Sequence, residues 1–163
     1  MHRLFASWRM KYVSSNHKEP GCIFCDAATQ PTNDERLVVF VGNNAVVMLN
    51  KYPYTSGHLM VAPKLHTNKL SALPQKTRTE IIDLISESIS VLTSIYKPDG
   101  FNVGANLGEA AGAGIPEHLH FHIVPRWNGD TNFMTSIGDT RVLPEDLSQT
   151  YQKVKHAFQV IRG

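Results

Sequence analysis

Leu37 to Val41 and Ala45 to Leu49 are apolar, β-branched runs parted by Gly42-Asn43-Asn44, a pattern that predicts a tight hairpin. Leu59 to Ala62 reads as a third strand, closed by Pro63. From Thr77 to Tyr96, apolar residues recur at Ile81, Leu84, Ile85, Ile89, Leu92 and Ile95, the stripe of a long amphipathic helix ended by Pro98-Asp99-Gly100. Phe101 to Leu107 and His118 to Pro125 predict two more strands, joined by Gly108 to Glu117. Leu143-Pro144-Glu145-Asp146 opens a C-terminal helix over 144–161, with Pro144 suited to its first turn. Leu4, Phe5, Trp8 and Tyr12 fall at helical spacing and predict a docked N-terminal helix or arm within residues 1–20. The order of elements is mixed rather than βαβαβ. It predicts a single α+β domain over residues 1–163, with a five-stranded, mainly antiparallel sheet, one long helix and a C-terminal helix.

Composition narrows the classes. At 163 residues and 42% hydrophobic, the chain is long enough for one ordinary core. A net charge of +2 with 18% charged residues leaves no basic footprint, so nucleic acid is not an expected partner. No apolar stretch approaches the roughly 18 residues of a membrane span. Met1 to Lys18 lacks acidic residues, as an organellar leader does, but its apolar spacing favours the docked helix. Two cysteines and no secretory signal point to the cytoplasm.

The chemistry concentrates in His118-Leu119-His120-Phe121-His122-Ile123-Val124. On a strand, the three imidazoles share one face while Leu119, Phe121 and Ile123 enter a core on the other. One buried histidine is ordinarily structural. Three in strict alternation are costly to pack unless their nucleophilic, proton-donating or metal-ligating capacity is used, so the chain is expected to be an enzyme. The glycine-bearing stretch from Gly108 to Pro116 is either a plain connector or, beside that run, a cradle of backbone amides for phosphate. Cys22-Ile23-Phe24-Cys25 suits tetrahedral zinc, a redox dithiol or two buried free thiols. The redox reading lacks its βαβ context. Zinc requires two further ligands, for which His17, His58, His66, His118 and His122 are candidates.

The run His-x-His-x-His followed by two apolar residues resembles the signature of the histidine triad (HIT) superfamily of nucleotide hydrolases and transferases. Ser56-Gly57-His58-Leu59-Met60-Val61-Ala62-Pro63-Lys64 is similar to that family's Gly-His strand. Arg3-Leu4-Phe5, Trp8 to Tyr12, and Pro125 to Phe133 resemble a bacterial branch assigned to diadenosine tetraphosphate phosphorylases or hydrolases. The resemblance implies a HIT-like fold that pairs as a homodimer. It also implies His120 as the nucleophile that forms a nucleotidyl-histidine, His122 as donor to the phosphate or bridging oxygen, and His58 either as a member of the proton relay or as a satisfied structural residue. Asn106 matches a polar phosphate contact, and Asn50, eight residues before His58, matches a ribose contact. Met48 and Met60 would then flank an apolar base pocket, the alternative being that each is ordinary core. Relatives carry Ser, Thr or Gln where this chain has Ala113, Gly114 and Ile115, so backbone donors around Gly114 and Ile115 are expected to carry that role.

In galactose-1-phosphate uridylyltransferases, relatives of the triad enzymes, a CxxC pair is joined by two histidines. The matching residues here are His118 and His66, which implies a structural zinc on Cys22, Cys25, His66 and His118. The activity implied is hydrolysis or phosphorolysis of a dinucleoside polyphosphate such as diadenosine tetraphosphate, with water or phosphate as acceptor. The alternatives are an adenylate phosphoramidase and a non-catalytic nucleotide-binding regulator, and the intact His120 argues against the second. A uridylyltransferase would need a longer chain with two tandem domains.

Overall fold

The computed structural model describes residues 21–29, 34–130 and 145–163. The expected N-terminal helix, His17, Pro144 and the stretch Thr131-Asn132-Phe133 lie outside the described residues. Helix α1 (Ile23–Thr29) precedes strands β1 (Val38–Val41), β2 (Ala45–Leu49) and β3 (Leu59–Pro63). Helix α2 (Gln75–Tyr96), strands β4 (Gly100–Gly104) and β5 (Phe121–Arg126), and helix α3 (Leu147–Arg162) follow. The five strands form one antiparallel sheet in the order β1-β2-β3-β5-β4. The hairpin at Gly42-Asn43-Asn44, the third strand and the long helix stand where the periodicity puts them.

Three boundaries differ most from expectation. Strand β5 enters the ladder at Phe121 rather than His118, because its register with β3 begins at Val61↔Phe121. The amide of Leu119 donates instead to the Thr67 carbonyl at 2.7 Å. Strand β4 ends at Gly104, opposite His122, rather than at Leu107. Helix α3 begins at Leu147, because Asp146 is extended and its carboxylate accepts from the Ser148 amide at 2.8 Å, the geometry of an N-cap. Helix α1 has no apolar periodicity long enough to announce it.

The alternation of strand side chains builds two cores. On one face Val47, Leu49, Leu59, Val61, Leu119 and Ile123 pack beneath Ile81, Leu84, Ile85, Val91 and Leu92 of α2 and Tyr151, Val154 and Phe158 of α3. Ser88 also lies on the buried side of α2 and returns its hydroxyl to the Leu84 carbonyl at 2.6 Å. On the other face Val38, Val46, Met48, Met60 and Ala62 bury Phe24 and Ala27 of α1. Helix α3 lies along the outer strand β1, where the Tyr151 hydroxyl donates to the Val38 carbonyl at 3.1 Å. The opposite edge, β4, is open: Asn102, Val103 and Gly104 are exposed. Glu80 of α2 ties the β1–β2 hairpin down, accepting from the Asn44 amide at 3.0 Å and its side chain at 2.6 Å.

Candidate active site and metal centre

All three histidines of the triad run and a fourth, His58, line the face covered by α1, as a row of rings. His120 and His122 meet edge to face with centroids 4.9 Å apart, and His122 meets His58 at 5.1 Å. The expectation that the imidazoles share a face holds although only His122 belongs to the hydrogen-bonded ladder.

The protons on these rings follow from partners that can act in only one way. His120 Nδ1 lies 2.9 Å from the His118 carbonyl oxygen, an obligate acceptor, so Nδ1 carries the proton and Nε2 the lone pair. His120 is 4% exposed, and burial pulls its pKa below the usual imidazole value, with the hydrogen bond to the His118 carbonyl opposing that shift. The ring is therefore neutral near pH 7, with a nucleophilic nitrogen. His118 is wholly enclosed, and burial likewise lowers its pKa, helped by His66 and His120 and opposed by the Pro63 carbonyl. Its Nε2–H donates to that carbonyl at 2.8 Å, which leaves Nδ1 as the free ligand atom.

That Nδ1 faces a cluster. His118 Nδ1 lies 3.2 Å from Cys22 Sγ, 3.7 Å from Cys25 Sγ and 3.2 Å from His66 Nδ1, and Cys25 Sγ lies 3.2 Å from His66 Nδ1. The ligand atoms of Cys22, Cys25, His66 and His118 all fall within 4.8 Å of one another, so this group could hold a metal ion. Burial pushes the Cys25 thiol up to about 11, and Cys22 and Asp26 add to the shift. A bound cation is what would hold such a thiol as thiolate. Of the histidines open from spacing alone, His66 and His118 converge here, while His58 and His122 pair elsewhere.

His58 is wholly buried, with Nε2 3.0 Å from His122 Nδ1. Its own Nδ1 accepts from the Tyr54 amide at 3.1 Å and lies 3.4 Å from Asn50 Nδ2. The turn that carries His58 depends on Gly57, at φ +79°, where an added Cβ would meet Leu92 and Tyr96 of α2. Met48 and Met60, each 5% exposed, are register partners, and Met60 is also opposite His122, so both lie on the triad's face. Ile115 packs into the same cluster. Asn106 and Gly114 sit in the loop between β4 and β5, where the Asn106 amide donates to the Gly112 carbonyl at 3.3 Å.

Two residues of this site escaped the sequence reading. Phe24, between the paired cysteines, is wholly buried and stacks on His120 with centroids 4.8 Å apart. Tyr54 covers His58 at 4.8 Å and lends it a backbone donor. An aromatic residue inside the CxxC pair was the available signal for Phe24; no signal marked the Tyr54 amide.

A family profile described as HIT domain matches residues 31–129. An AP-4-A phosphorylase of Mycobacterium tuberculosis is 38% identical over 158 residues, covering 92% of this chain and 80% of that protein. An adenosine 5′-monophosphoramidase of Schizosaccharomyces pombe is 26% identical over 110 residues, covering 68% of this chain and 79% of the other. Among solved structures, a Zn-bound histidine triad family protein of Mycobacterium smegmatis superposes with a TM-score of 0.69 at 24% identity, covering 87% of this chain and 96% of that one. Among the described residues, no helix is long and apolar enough to cross a membrane.

Proposed function

We propose that this chain, which belongs to the HIT family of nucleotide hydrolases and phosphorylases, cleaves a dinucleoside polyphosphate through a nucleotidyl-histidine on His120. The observation that carries the reading is the His120 ring itself: buried, neutral, with Nδ1–H anchored on the His118 carbonyl at 2.9 Å and Nε2 left as nucleophile. In the first step Nε2 bonds to the α-phosphorus, and the bond from that phosphorus to the bridging oxygen breaks. The leaving oxygen departs as a phosphate anion, held by a hydrogen bond from His122. In the second step an acceptor oxygen attacks the same phosphorus and the P–N bond breaks, restoring His120. The 38% identity to an AP-4-A phosphorylase favours phosphate as that acceptor and diadenosine tetraphosphate as the substrate class.

Met48 and Met60 are the proposed walls of the base pocket, with Asn50 on the sugar. Asn106 and the backbone at Gly114 and Ile115, with His122, are the proposed phosphate contacts. Donors aimed at the phosphoryl oxygens stabilise the charge that develops there. Zinc is the metal proposed for Cys22, Cys25, His66 and His118. Four of the six separations between donor atoms are 3.2–3.7 Å and all six are within 4.8 Å, close to a tetrahedron whose edges are about 3.3–3.8 Å when Zn–N is about 2.0 Å and Zn–S about 2.3 Å. Bound there, the ion would cross-link α1, the loop after β3 and the lead-in to β5. A homodimer formed through the open β4 edge completes the reading, since pairing across a two-fold satisfies exposed strand amides. The cytoplasm remains the proposed compartment.

The test is incubation with diadenosine tetraphosphate, with and without phosphate, followed by separation of the products. ADP and ATP formed only with phosphate mark a phosphorylase; AMP and ATP without it mark a hydrolase. Cleavage of adenosine 5′-phosphoramidate in preference to either would shift the substrate class to phosphoramidates. His120→Asn should lower turnover by about a thousandfold or more, and activity within about tenfold of wild type would remove His120 as the nucleophile.

A further inference from the structure

Three groups fix where the proton on His58 resides. Asn50 Oδ1 accepts from the Tyr52 amide at 2.9 Å, and only the carbonyl atom of that side chain can do so. The amide orientation is thereby set, and the atom that faces His58 Nδ1 at 3.4 Å is the donor Nδ2. The Tyr54 amide donates to the same nitrogen at 3.1 Å. Neither group can accept, so Nδ1 holds its lone pair and the neutral ring carries its proton on Nε2. That proton points at His122 Nδ1, 3.0 Å away. His122, accepting at Nδ1, keeps its own proton on Nε2.

We propose that His58 is a neutral positioning residue rather than a proton-transfer group, locked by Asn50 and the Tyr54 amide so that His122 presents Nε2–H to the phosphoryl group. A relay through His58 would have to continue from Nδ1 to an acceptor. That nitrogen already accepts from the Tyr54 amide, which cannot take a proton, and the ring is 0% exposed, so bulk water cannot replace the amide. The role belongs as much to Asn50 as to His58. Asn50 Oδ1 has a second lone pair for a sugar hydroxyl, so positioning and sugar contact are compatible on one side chain. The kinetic half of this inference rests on the nucleotide-cleaving reading, but the tautomer is observable without substrate.

The decisive measurement is a multiple-bond proton–nitrogen correlation spectrum of the full chain labelled with 15N-histidine at pH 7.5. The expected pattern for His58 is a protonated Nε2 and a bare Nδ1; a proton on Nδ1 overturns the proposal. In kinetics, His58→Gln keeps an amide donor for His122 Nδ1 and His58→Leu does not. The expected losses in kcat are about tenfold for His58→Gln and about a hundredfold for His58→Leu, given that a positioned donor to the developing charge contributes about 10²-fold or more. Equal losses in the two variants would show that His58 itself transfers the proton. Asn50→Leu should lower kcat about fivefold to tenfold. A rise in KM with kcat unchanged would reduce Asn50 to a sugar contact and overturn its positioning role. If the wild-type protein cleaves no nucleotide, the proposed function falls, and the spectrum still decides the tautomer.

Discussion

Gly57 is where the fold and the site press hardest on each other. Its φ is +79°, and a Cβ built there would lie 2.9 Å from Leu92 Cδ2 and 3.1 Å and 3.3 Å from ring carbons of Tyr96. Replacing it by alanine imposes a left-handed conformation on an L-residue, at about 1–2 kcal/mol. It also forces a methyl against packed side chains of α2, at about 1–3 kcal/mol. The loss of chain entropy in the unfolded state offsets about 0.5 kcal/mol of this. The net expectation is about 3 kcal/mol, or a melting temperature lower by about 6–12 °C for a domain of this length. The displacement falls on the neighbouring His58, whose 3.0 Å contact with His122 has little slack. Turnover should therefore drop further than stability alone dictates, by about tenfold to a hundredfold under conditions where the variant is still fully folded. Calorimetry checks the first number and steady-state kinetics well below the melting transition the second. A Gly57→Ala protein that melts within about 2 °C of wild type would refute the close approach and the reasoning built on it.

Purified protein should carry about one zinc per chain, and Cys22→Ser with Cys25→Ser should lose it, melt earlier and lose activity, as read by elemental analysis and calorimetry. A metal-free preparation of unchanged stability would exclude the Cys2His2 site. Burial raises the pKa of Glu80, but the side-chain and backbone donors of Asn44, with amides at Asn43 and Ala45, outweigh it and hold the carboxyl below the usual range. A depressed folded-state pKa contributes stability that is present above the unfolded value of about 4.3 and is lost as pH falls through the folded value. The melting difference between wild type and Glu80→Gln should therefore narrow between about pH 6 and pH 3, and a gap that widens on acidification contradicts the Asn44 bonds. Light scattering at micromolar concentration should give about twice the 18.2 kDa chain mass; a monomer that cleaves nucleotide would show that the β4 edge needs no partner.

Much of this was legible because period carries burial. The alternation through His118, His120 and His122 announced one polar face and one core face, and Leu119 and Ile123 are buried as it requires. The apolar stripe of α2 was readable in the same way, although Ser88 and Val91 occupy buried positions that a hydrophobic tally passes over or undercounts. Helix α1 was not readable, because seven residues make too few turns for a periodic signal and its fold depends on Phe24 and Ala27 finding the β1–β3 face. The Cys2His2 set came from resemblance rather than spacing, since nothing in the sequence brings residue 66 to residue 118; the Leu119–Thr67 backbone bond does that in space. The orientation of Asn50 and the donor from Tyr54 are backbone facts of a turn, and backbone amides leave no mark in a sequence.

Pro63 explains why His120 sits where it does. Extending the β3–β5 register beyond Val61↔Phe121 would set Pro63 opposite Leu119. Proline has no amide proton to continue the ladder, so the pairing stops there and the chain from His118 to His120 leaves the sheet. The Pro63 carbonyl is taken by His118 Nε2–H at 2.8 Å, and the His118 carbonyl by His120 Nδ1–H at 2.9 Å. One residue therefore faces the Cys22–Cys25–His66 cluster with Nδ1 and His120 with its carbonyl oxygen. The two sites share a single peptide unit as their joint. Phe24 makes a second joint, because it lies between the two cysteines and stacks its ring on His120. A shift at the start of α1, where Cys22 and Cys25 lie, thus reaches His120 by two short routes, one through the His118 backbone and one through a stacked ring. This is the physical reason to expect metal loss to weaken catalysis as well as stability.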